Sequence, residues 1–203
     1  MYRSPKGDTC MLVALEGGDR LGKSTQGRLL ETALEKAKVR VVLDKCPYKD
    51  GVTYERIYEM LDTGEAVKYP VVFQTLQGAN RRYFQQRYLP TLASHFDVVL
   101  VDRWSLSTRV YGTEAGVPLD VTECVLKDIV EPDLTLVFDG EPFGVVGKDD
   151  AYEADGEFQA RVRARYRRWA QEGDDDRVLV SANRGTEIIR DELIEIVQRS
   201  LRR

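Results

Sequence analysis

The chain is 203 residues long and carries 30 lysines and arginines against 34 aspartates and glutamates, which gives a net charge of −4. Hydrophobic residues make up 42% of it, so the composition is that of a globular protein and excludes a disordered chain. We expect a single domain over residues 1–203 that binds no nucleic acid, because a dedicated nucleic-acid binder usually carries a basic excess. The sequence contains no run of about 18 apolar residues, so no helix is predicted to cross a membrane.

The first residues and the cysteines bear on the cellular compartment. Residues 1–9 lack the apolar region of a secretory signal and are predicted to form a frayed polar tail. Cys10, Cys46 and Cys124 are widely spaced and form no CxxC pair, which argues against a disulfide framework and against a zinc site. We therefore expect a cytoplasmic protein with reduced thiols.

Short apolar runs alternate with amphipathic stretches along the chain. The apolar runs predict buried strands at residues 11–15, 39–43, 97–101, 134–138 and 177–180. Apolar residues at helical spacing predict helices at residues 22–38, 52–61, 70–94, 120–130, 157–172 and 186–201. Strands separated by helices favour an α/β fold, here a five-stranded parallel sheet with helices on both faces.

A glycine-rich motif joins the first predicted strand to the first predicted helix. Residues 17–24, GGDRLGKS, match the phosphate-loop pattern G-x-x-x-x-G-K-[ST] in its required context. Its glycines let the backbone approach phosphate oxygens, and the amides at the helix N-terminus point at the anion. The residues predicted to bind the phosphates of ATP are Gly17, Gly18, Asp19, Arg20, Leu21, Gly22, Lys23, Ser24 and Thr25. Within this set Lys23 would bridge the β- and γ-phosphates, and Ser24 would ligate Mg²⁺.

A second motif, Asp102-Arg103-Trp104, follows the apolar run at residues 97–101. A carboxylate at the carboxyl end of a parallel strand faces the crevice in which ligands bind. Asp102 is therefore predicted to hold Mg²⁺ through water or to orient the phosphates, and Arg103 to clamp a second phosphate with its two-pronged guanidinium. The alternative interpretation is an ordinary surface ion pair at the end of a strand.

These two motifs, together with CPYK, GANR, VYG and AYEADGEFQARVRARY, resemble the thymidylate kinase family in order and spacing from about residue 11 to residue 201. The resemblance implies a P-loop NTPase fold with a short lid over ATP, here residues 139–156. It implies a nucleoside-monophosphate kinase that transfers the γ-phosphoryl of MgATP to the 5′-phosphate of dTMP. It also implies a homodimer whose partners are small-molecule nucleotides.

The resemblance assigns roles to individual residues. Arg20 matches a phosphate-loop arginine that is catalytic in one subtype, and residues 139–156 contain no arginine that could replace it. Lys23, Asp102 and Arg103 complete the implied catalytic set. The residues implied to bind the acceptor nucleotide are Lys49 and Arg103 at its phosphate, Asp19 and Tyr111 at its sugar, and Arg81 and Tyr152 at its base. Ser181 matches a loop near the adenine of ATP.

The base pocket departs from the family pattern. Gln77 stands where a phenylalanine usually stacks on thymine, one helical turn before Arg81. A glutamine offers one acceptor and two donors, so the acceptor could instead be a 5-substituted dUMP, such as 5-hydroxymethyl-dUMP, or another deoxynucleoside monophosphate. In a second interpretation Gln77 points away, and Phe73 or Tyr83 lines the pocket.

The phosphate loop is also compatible with other functions. A kinase for an unphosphorylated nucleoside would have little use for Lys49 and Arg103, which suit an acceptor that already bears a phosphate. A non-enzymatic nucleotide-binding protein remains an alternative, although no N/T-K-x-D guanine motif of a GTPase is present. The basic stretch at residues 161–169 is interpreted as a solvated helix face, and Lys148 as an exposed lysine that could reach ATP.

Overall fold

The protein is described here by a computed structural model that covers residues 1–144, 152–173 and 176–202. Within those residues six strands form one sheet. They are β1 (Tyr2–Arg3), β2 (Thr9–Gly17), β3 (Val41–Lys45), β4 (Val98–Asp102), β5 (Leu134–Asp139) and β6 (Arg177–Ser181). The order β3-β4-β2-β5-β6 is parallel throughout, which confirms the predicted five-stranded parallel sheet, and β1 pairs with β2 in the antiparallel sense.

Helices cover both faces of this sheet. They are α1 (Lys23–Lys36), α2 (Tyr54–Asp62), α3 (Glu65–Lys68), α4 (Pro70–Arg87), α5 (Leu89–His95), α6 (Ser105–Glu114), α7 (Leu119–Leu126), α8 (Gly156–Gln171) and α9 (Thr186–Leu201). The prediction of one helix over residues 70–94 was wrong, because the helix breaks at Tyr88. Pro90 has no amide hydrogen to donate to the carbonyl of Gln86, and its ring disfavours a continuous helix there.

The core explains why the strands are apolar along their whole length. Alternate residues of β2 point to opposite faces of the sheet. Val13 and Leu15 pack with α1 and α9, whereas Leu12 and Ala14 pack with α4 and α5. Both faces of the strand are therefore buried, as expected for a parallel sheet between two layers of helices.

The prediction of a frayed tail over residues 1–9 was wrong. β1 pairs with the start of β2, with Tyr2 opposite Cys10, and Ser4 is buried. The carboxylate of Asp133 accepts hydrogen bonds from the backbone amides of Tyr2 (3.0 Å) and Leu12 (2.8 Å). Backbone pairing of this kind needs no apolar side chains, so the polar sequence gave no sign of it.

The described part of the chain has no helix with both the length and the apolarity needed to cross a bilayer. The basic helix α8 buries its apolar face through Phe158, Val162 and Tyr166. Arginines on its other face bond to nearby acids: Arg161 and Arg165 to Glu114, Arg167 to Asp139 and Arg168 to Glu172. Of the predicted lid, residues 145–151, which include Lys148, lie outside the described residues.

The topology brings the two sequence motifs together. β2 lies between β4 and β5, and the phosphate loop starts where β2 ends. In the register of the parallel ladder, Asp102 at the end of β4 pairs with Leu15 on one side and with Lys45 of β3 on the other. The carboxyl ends of these strands, and the groups that follow them, therefore meet at one edge of the sheet.

Candidate active site

Two glycines of the phosphate loop have a positive φ, a backbone conformation that favours glycine. Gly17 has φ 136°, and a Cβ there would lie 2.5 Å from the carbonyl oxygen of Phe138. Gly22, with φ 76°, precedes the first residue of α1 and makes no side-chain cap for it. The first amides of α1 are therefore left without a capping side chain, as a helix that binds an anion at its N-terminus requires.

Lys23 is buried under this loop. Its Nζ donates a hydrogen bond to the carbonyl oxygen of Gly18 at 2.5 Å. Burial and the charge of Arg103 lower the pKa of Lys23 to about 8, against the opposing attraction of Asp19 and Asp102. A buried lysine surrounded by polar groups in a cleft is poised to bind a multiply charged anion, which would restore its full charge.

Ser24 and Asp102 form the part of the site that could hold a metal ion. The Ser24 hydroxyl donates to Oδ2 of Asp102 at 2.6 Å. Asp102 is 4% exposed, and its Oδ1 is buried without a partner among the described residues. A buried carboxylate oxygen without a donor suits a hard cation or its water ligand. Because Mg²⁺ typically takes one or two protein ligands and completes its shell with phosphates and water, these residues fit it.

Asp19 and Arg103 form the centre of a polar network. Nη2 of Arg103 donates to Oδ1 of Asp19, and the Tyr111 hydroxyl (2.6 Å) and the Gln159 amide (3.0 Å) donate to Oδ2. Burial alone would raise the pKa of Asp19, but Arg103, Lys23 and these hydrogen bonds outweigh it and lower that pKa to about 2. Asp19 therefore stays ionised and holds Arg103 in place across the cleft.

Two arginines of the site have left-handed backbone conformations, Arg20 with φ 61° and Arg103 with φ 71°. Non-glycine residues in this region cost on the order of 1–3 kcal/mol and are found at functional sites. Arg20 forms an ion pair with Glu153, with 3.3 Å between Nη2 and Oε2. Its carbonyl oxygen accepts a hydrogen bond from the amide of Phe143 at 2.9 Å. Residues on both sides of the predicted lid's centre thus contact the phosphate loop.

Arg81 is buried at the far end of the site, with 2% of its surface exposed. Its Nε donates to the carbonyl oxygen of Trp104 at 2.8 Å, and its Nη1 donates to the carbonyl and side-chain oxygens of Gln77 at 3.0 and 2.9 Å. Burial lowers the pKa of Arg81, although an arginine remains charged at physiological pH. Gln77 therefore fixes the orientation of this guanidinium.

Two clefts are lined by these residues. The inner cleft, of about 740 Å³, is lined by Arg81, Gln77, Phe73, Tyr111 and Tyr152, among others. The loop cleft, of about 660 Å³, is lined by residues 19–25 and Asp102. The two clefts share Asp19, Lys45, Arg103 and Glu153. A group bound on the phosphate loop would therefore face a group bound in the inner cleft across these charged side chains.

Comparison with known proteins identifies the family. The family model described as thymidylate kinase matches residues 15–193, nearly the whole chain. The chain belongs to the thymidylate kinase family. It is 30% identical to the thymidylate kinase of Ruegeria pomeroyi over 208 aligned residues, which cover 96% of this chain and 98% of that protein.

Two other matches agree with this family. The chain is 34% identical to the thymidylate kinase of Xanthomonas campestris pv. campestris over 132 residues, a stretch that spans 57% of that longer relative and 65% of this chain. The solved structure of a Candida albicans thymidylate kinase superposes with a TM-score of 0.72 at 22% identity, over 96% of this chain and 95% of that one. The structural match confirms the predicted P-loop fold.

Most residues that the thymidylate kinase resemblance singled out lie around the two clefts, but two do not. Lys49 is exposed and Ser181 lies exposed at the end of β6, and neither lines either cleft. Lys45, at the end of β3, lines both clefts and was missed. Of the two interpretations of the base pocket, the structure favours the one in which Gln77 faces the cleft, and Phe73 lines it as well.

Glu16 is a further residue that the thymidylate kinase motifs did not single out. It is fully buried, and its carboxylate accepts hydrogen bonds from the Trp104 amide (2.7 Å), the Ser107 hydroxyl (2.5 Å) and the Tyr166 hydroxyl (3.0 Å). A buried carboxylate is tolerated only when donors satisfy it. Glu16 thereby ties the strand that leads into the phosphate loop to α6 and α8. An acidic residue directly after an apolar run was the available signal.

Proposed function

We propose that this protein transfers the γ-phosphoryl group of ATP to the 5′-phosphate of a deoxynucleoside monophosphate, with dTMP as the first candidate. The observation that carries the proposal is the meeting of the loop cleft and the inner cleft at Asp19, Lys45, Arg103 and Glu153. A donor phosphate on the loop and an acceptor phosphate in the inner cleft would there be adjacent. Membership of the thymidylate kinase family supports the same reaction.

The donor would be bound by the phosphate loop. Amides at the start of α1 and the ammonium of Lys23 would hold the phosphates, with Ser181 near the adenine. Arg20 would contact the transferring phosphoryl and stabilise the charge that spreads over its oxygens in the transition state. Residues 139–156 would act as a lid that excludes water, and the chain would be one kinase domain.

Mg²⁺ belongs to this proposal, with Ser24 and Asp102 as the residues that would hold it. When bound, the ion would neutralise the charge of the β- and γ-phosphates. The support is the buried Oδ1 of Asp102, which has no partner among the described residues, next to the Ser24 hydroxyl.

The acceptor nucleotide would lie in the inner cleft. Arg103 and Lys45, with Lys49 nearby, would bind its phosphate, and Asp19 and Tyr111 would contact its sugar. The guanidinium of Arg81 would donate to a ring carbonyl, and Tyr152 would border the base. The acceptor phosphate is already anionic at neutral pH, since its second pKa is about 6. No general base is therefore needed, and catalysis is positioning and charge stabilisation.

A second candidate acceptor, a 5-substituted dUMP such as 5-hydroxymethyl-dUMP, is favoured by Gln77. Its side-chain oxygen accepts a hydrogen bond from Arg81. The amide hydrogens are then left to bond a polar substituent, which a phenylalanine could not do. A pocket built to bond such a group can reject analogues that lack it. A homodimer, on the basis of the family resemblance, and a cytoplasmic location, on the basis of the cysteine spacing, complete the proposal.

The deciding experiment is kcat/KM with ATP and Mg²⁺ for dTMP, dUMP, 5-hydroxymethyl-dUMP, dCMP, dGMP, dAMP and thymidine. Preference for dTMP or for 5-hydroxymethyl-dUMP supports the first or the second candidate. Preference for a purine nucleotide, for thymidine, or no turnover of any acceptor contradicts the proposal. In Gln77→Phe, a shift of preference toward dTMP would identify Gln77 as a base contact, and an unchanged ranking would not.

A further inference from the structure

The inner cleft contains a polar side chain that neither the sequence motifs nor the proposed mechanism uses. Gln74 lies in α4 and lines the cleft, although it is only 2% exposed. Its Nε2 is buried and has no hydrogen-bond partner among the described residues. Burying an amide without a partner costs free energy, so such groups in native proteins call for an explanation, and a bound ligand is one.

Gln74 lies beside Gln77 and Arg81, at the proposed base-binding end of the inner cleft. Gln74, Gln77 and Arg81 are spaced three and four residues apart, so they lie on one face of α4. Opposite Gln74 lies Gly112 of α6, where a Cβ would be 3.4 Å from the Cγ atom of Gln74. Arg81 faces the start of α6 through its hydrogen bond to Trp104. The two side chains therefore lie along one wall between the same pair of helices.

A second unpartnered group points to a ligand at the same wall. Thr108, also in α6, is 1% exposed and lines the inner cleft, and its hydroxyl is buried without a partner among the described residues. Two buried polar groups without partners among the described residues, on facing helices, would be unusual in a cleft that binds no ligand. They are expected in one that completes its hydrogen bonds when a polar, planar molecule enters.

We propose that Gln74 is a specificity-determining residue whose amide donates a hydrogen bond to a ring carbonyl of the acceptor base. This rests on the proposed function, in which a pyrimidine occupies the inner cleft. A pyrimidine-2,4-dione has two carbonyl oxygens; Arg81 takes one, and Gln74 supplies the buried donor for the other. An analogue without that oxygen leaves the donor unpaired and is rejected strongly, since the loss of a buried partner costs more than the hydrogen bond itself.

The test compares Gln74→Met with a matched control on the same helix. Gln85 carries the same side chain, but its amide donates to the carbonyl of Asp128 (2.8 Å) and its oxygen accepts from the amide of Val130 (2.8 Å). Gln74→Met removes a donor that has no partner among the described residues. Tm should therefore stay equal or rise while kcat/KM for dTMP falls by at least about tenfold. Gln85→Met should lower Tm and leave kcat/KM within about twofold.

A second measurement assigns the contact to one atom. The probes are dTMP, 2-thio-dTMP and 4-thio-dTMP, because sulfur is a weaker acceptor than a carbonyl oxygen. In the wild type each thio substitution should lower kcat/KM severalfold. In Gln74→Met the loss at one of the two positions should disappear, while the loss at the other persists. Gln74→Leu, measured in the same way, shows whether the effect comes from the lost amide or is specific to the methionine side chain.

The outcomes separate this inference from the proposed function. Wild-type protein that turns over no deoxynucleoside monophosphate contradicts the proposed function, and this inference falls with it. Turnover of dTMP that is unchanged in Gln74→Met and Gln74→Leu overturns this inference alone. A lowered Tm with unchanged kcat/KM also overturns it, because the amide would then serve the fold. Thio penalties that persist at both positions in Gln74→Met overturn it as well.

Discussion

Arg20 and Glu153 join the phosphate loop to the last part of the predicted lid. The distance between Nη2 of Arg20 and Oε2 of Glu153 is 3.3 Å, and both side chains are 22% exposed. Arg20 is also held in a left-handed backbone conformation. Because Glu153 lines both clefts as well, this pair lies where the transferring phosphoryl is expected, and it orients the arginine before any ligand binds.

The first prediction tests this pair. Arg20→Ala should lower kcat by on the order of 10³-fold if Arg20 stabilises the transition state as an arginine finger does. Glu153→Gln should lower kcat by about tenfold with a smaller change in KM, since it leaves Arg20 present but less well oriented. The double variant should be no slower than Arg20→Ala alone, because Glu153 acts through Arg20. Additive losses in steady-state kinetics would contradict this.

The second prediction concerns the pH dependence of ATP use. The pKa of Lys23 in the free protein is about 8, and kcat/KM reports the ionisation of the free enzyme. kcat/KM for ATP should therefore fall as the pH rises above about 8, because neutral Lys23 no longer attracts the phosphates. Lys23→Ala should lose most activity, with an unchanged or higher Tm since it relieves a buried charge. A flat profile up to pH 10 would refute the assignment.

The third prediction concerns Mg²⁺. Asp102→Asn should raise the Mg²⁺ concentration that gives half-maximal activity by at least about tenfold, since it removes the charge of the carboxylate whose Oδ1 has no partner among the described residues. Tm without Mg²⁺ should not fall much, because the asparagine oxygen can still accept from Ser24. Asp44→Asn, outside both clefts, is the control. An unchanged Mg²⁺ requirement in Asp102→Asn would exclude Asp102 from the metal site.

Motifs with a fixed backbone geometry could be predicted from the sequence, and positions set by tertiary pairing could not. The phosphate loop and Asp102 were found because each follows a strand in a parallel sheet. Lys45 was missed because the apolar pattern predicted a strand at 39–43, whereas pairing with β4 shifts the strand to Val41–Lys45. That shift of two residues puts Lys45 opposite Asp102 and in both clefts.

The hydrogen bonds along the α4 side of the inner cleft also could not be predicted from the sequence. The spacing predicted that Gln77 and Arg81 share a helix face, and the structure agrees. It did not predict that the Gln77 oxygen would bond to Arg81, because that depends on the rotamer that Arg81 adopts when it also bonds to Trp104. The sequence likewise gave no signal that the buried amide of Gln74 would have no partner among the described residues, because this too depends on tertiary packing.

The last prediction concerns stability near the same edge of the sheet. Burial, together with the charges of Glu31 and Asp50, raises the pKa of Asp44 to about 6, although Lys49 opposes the shift. The ordinary pKa of an aspartate is about 3.9, so the folded protein binds the Asp44 proton more tightly than the unfolded chain does. The resulting stability is fully present below about pH 4 and is lost as the pH rises through 6.

Asp44→Asn should therefore leave Tm nearly unchanged at pH 4 and raise it at pH 7. Asp44 is only half-buried, so the gain is discounted for solvent screening to roughly 1 kcal/mol, or about 2–4 °C for a chain of this size. Asp97→Asn is a control of opposite sign: Arg40 lowers the pKa of Asp97 from 3.8 through hydrogen bonds to its carboxylate. This variant should therefore lose stability at pH 7, and the loss should shrink as the pH falls below 3.8. Calorimetric scans across pH 3–8 give the Tm of both variants and of the wild type. A pH-independent difference between Asp44→Asn and the wild type would mean that Asp44 titrates as an ordinary surface carboxylate.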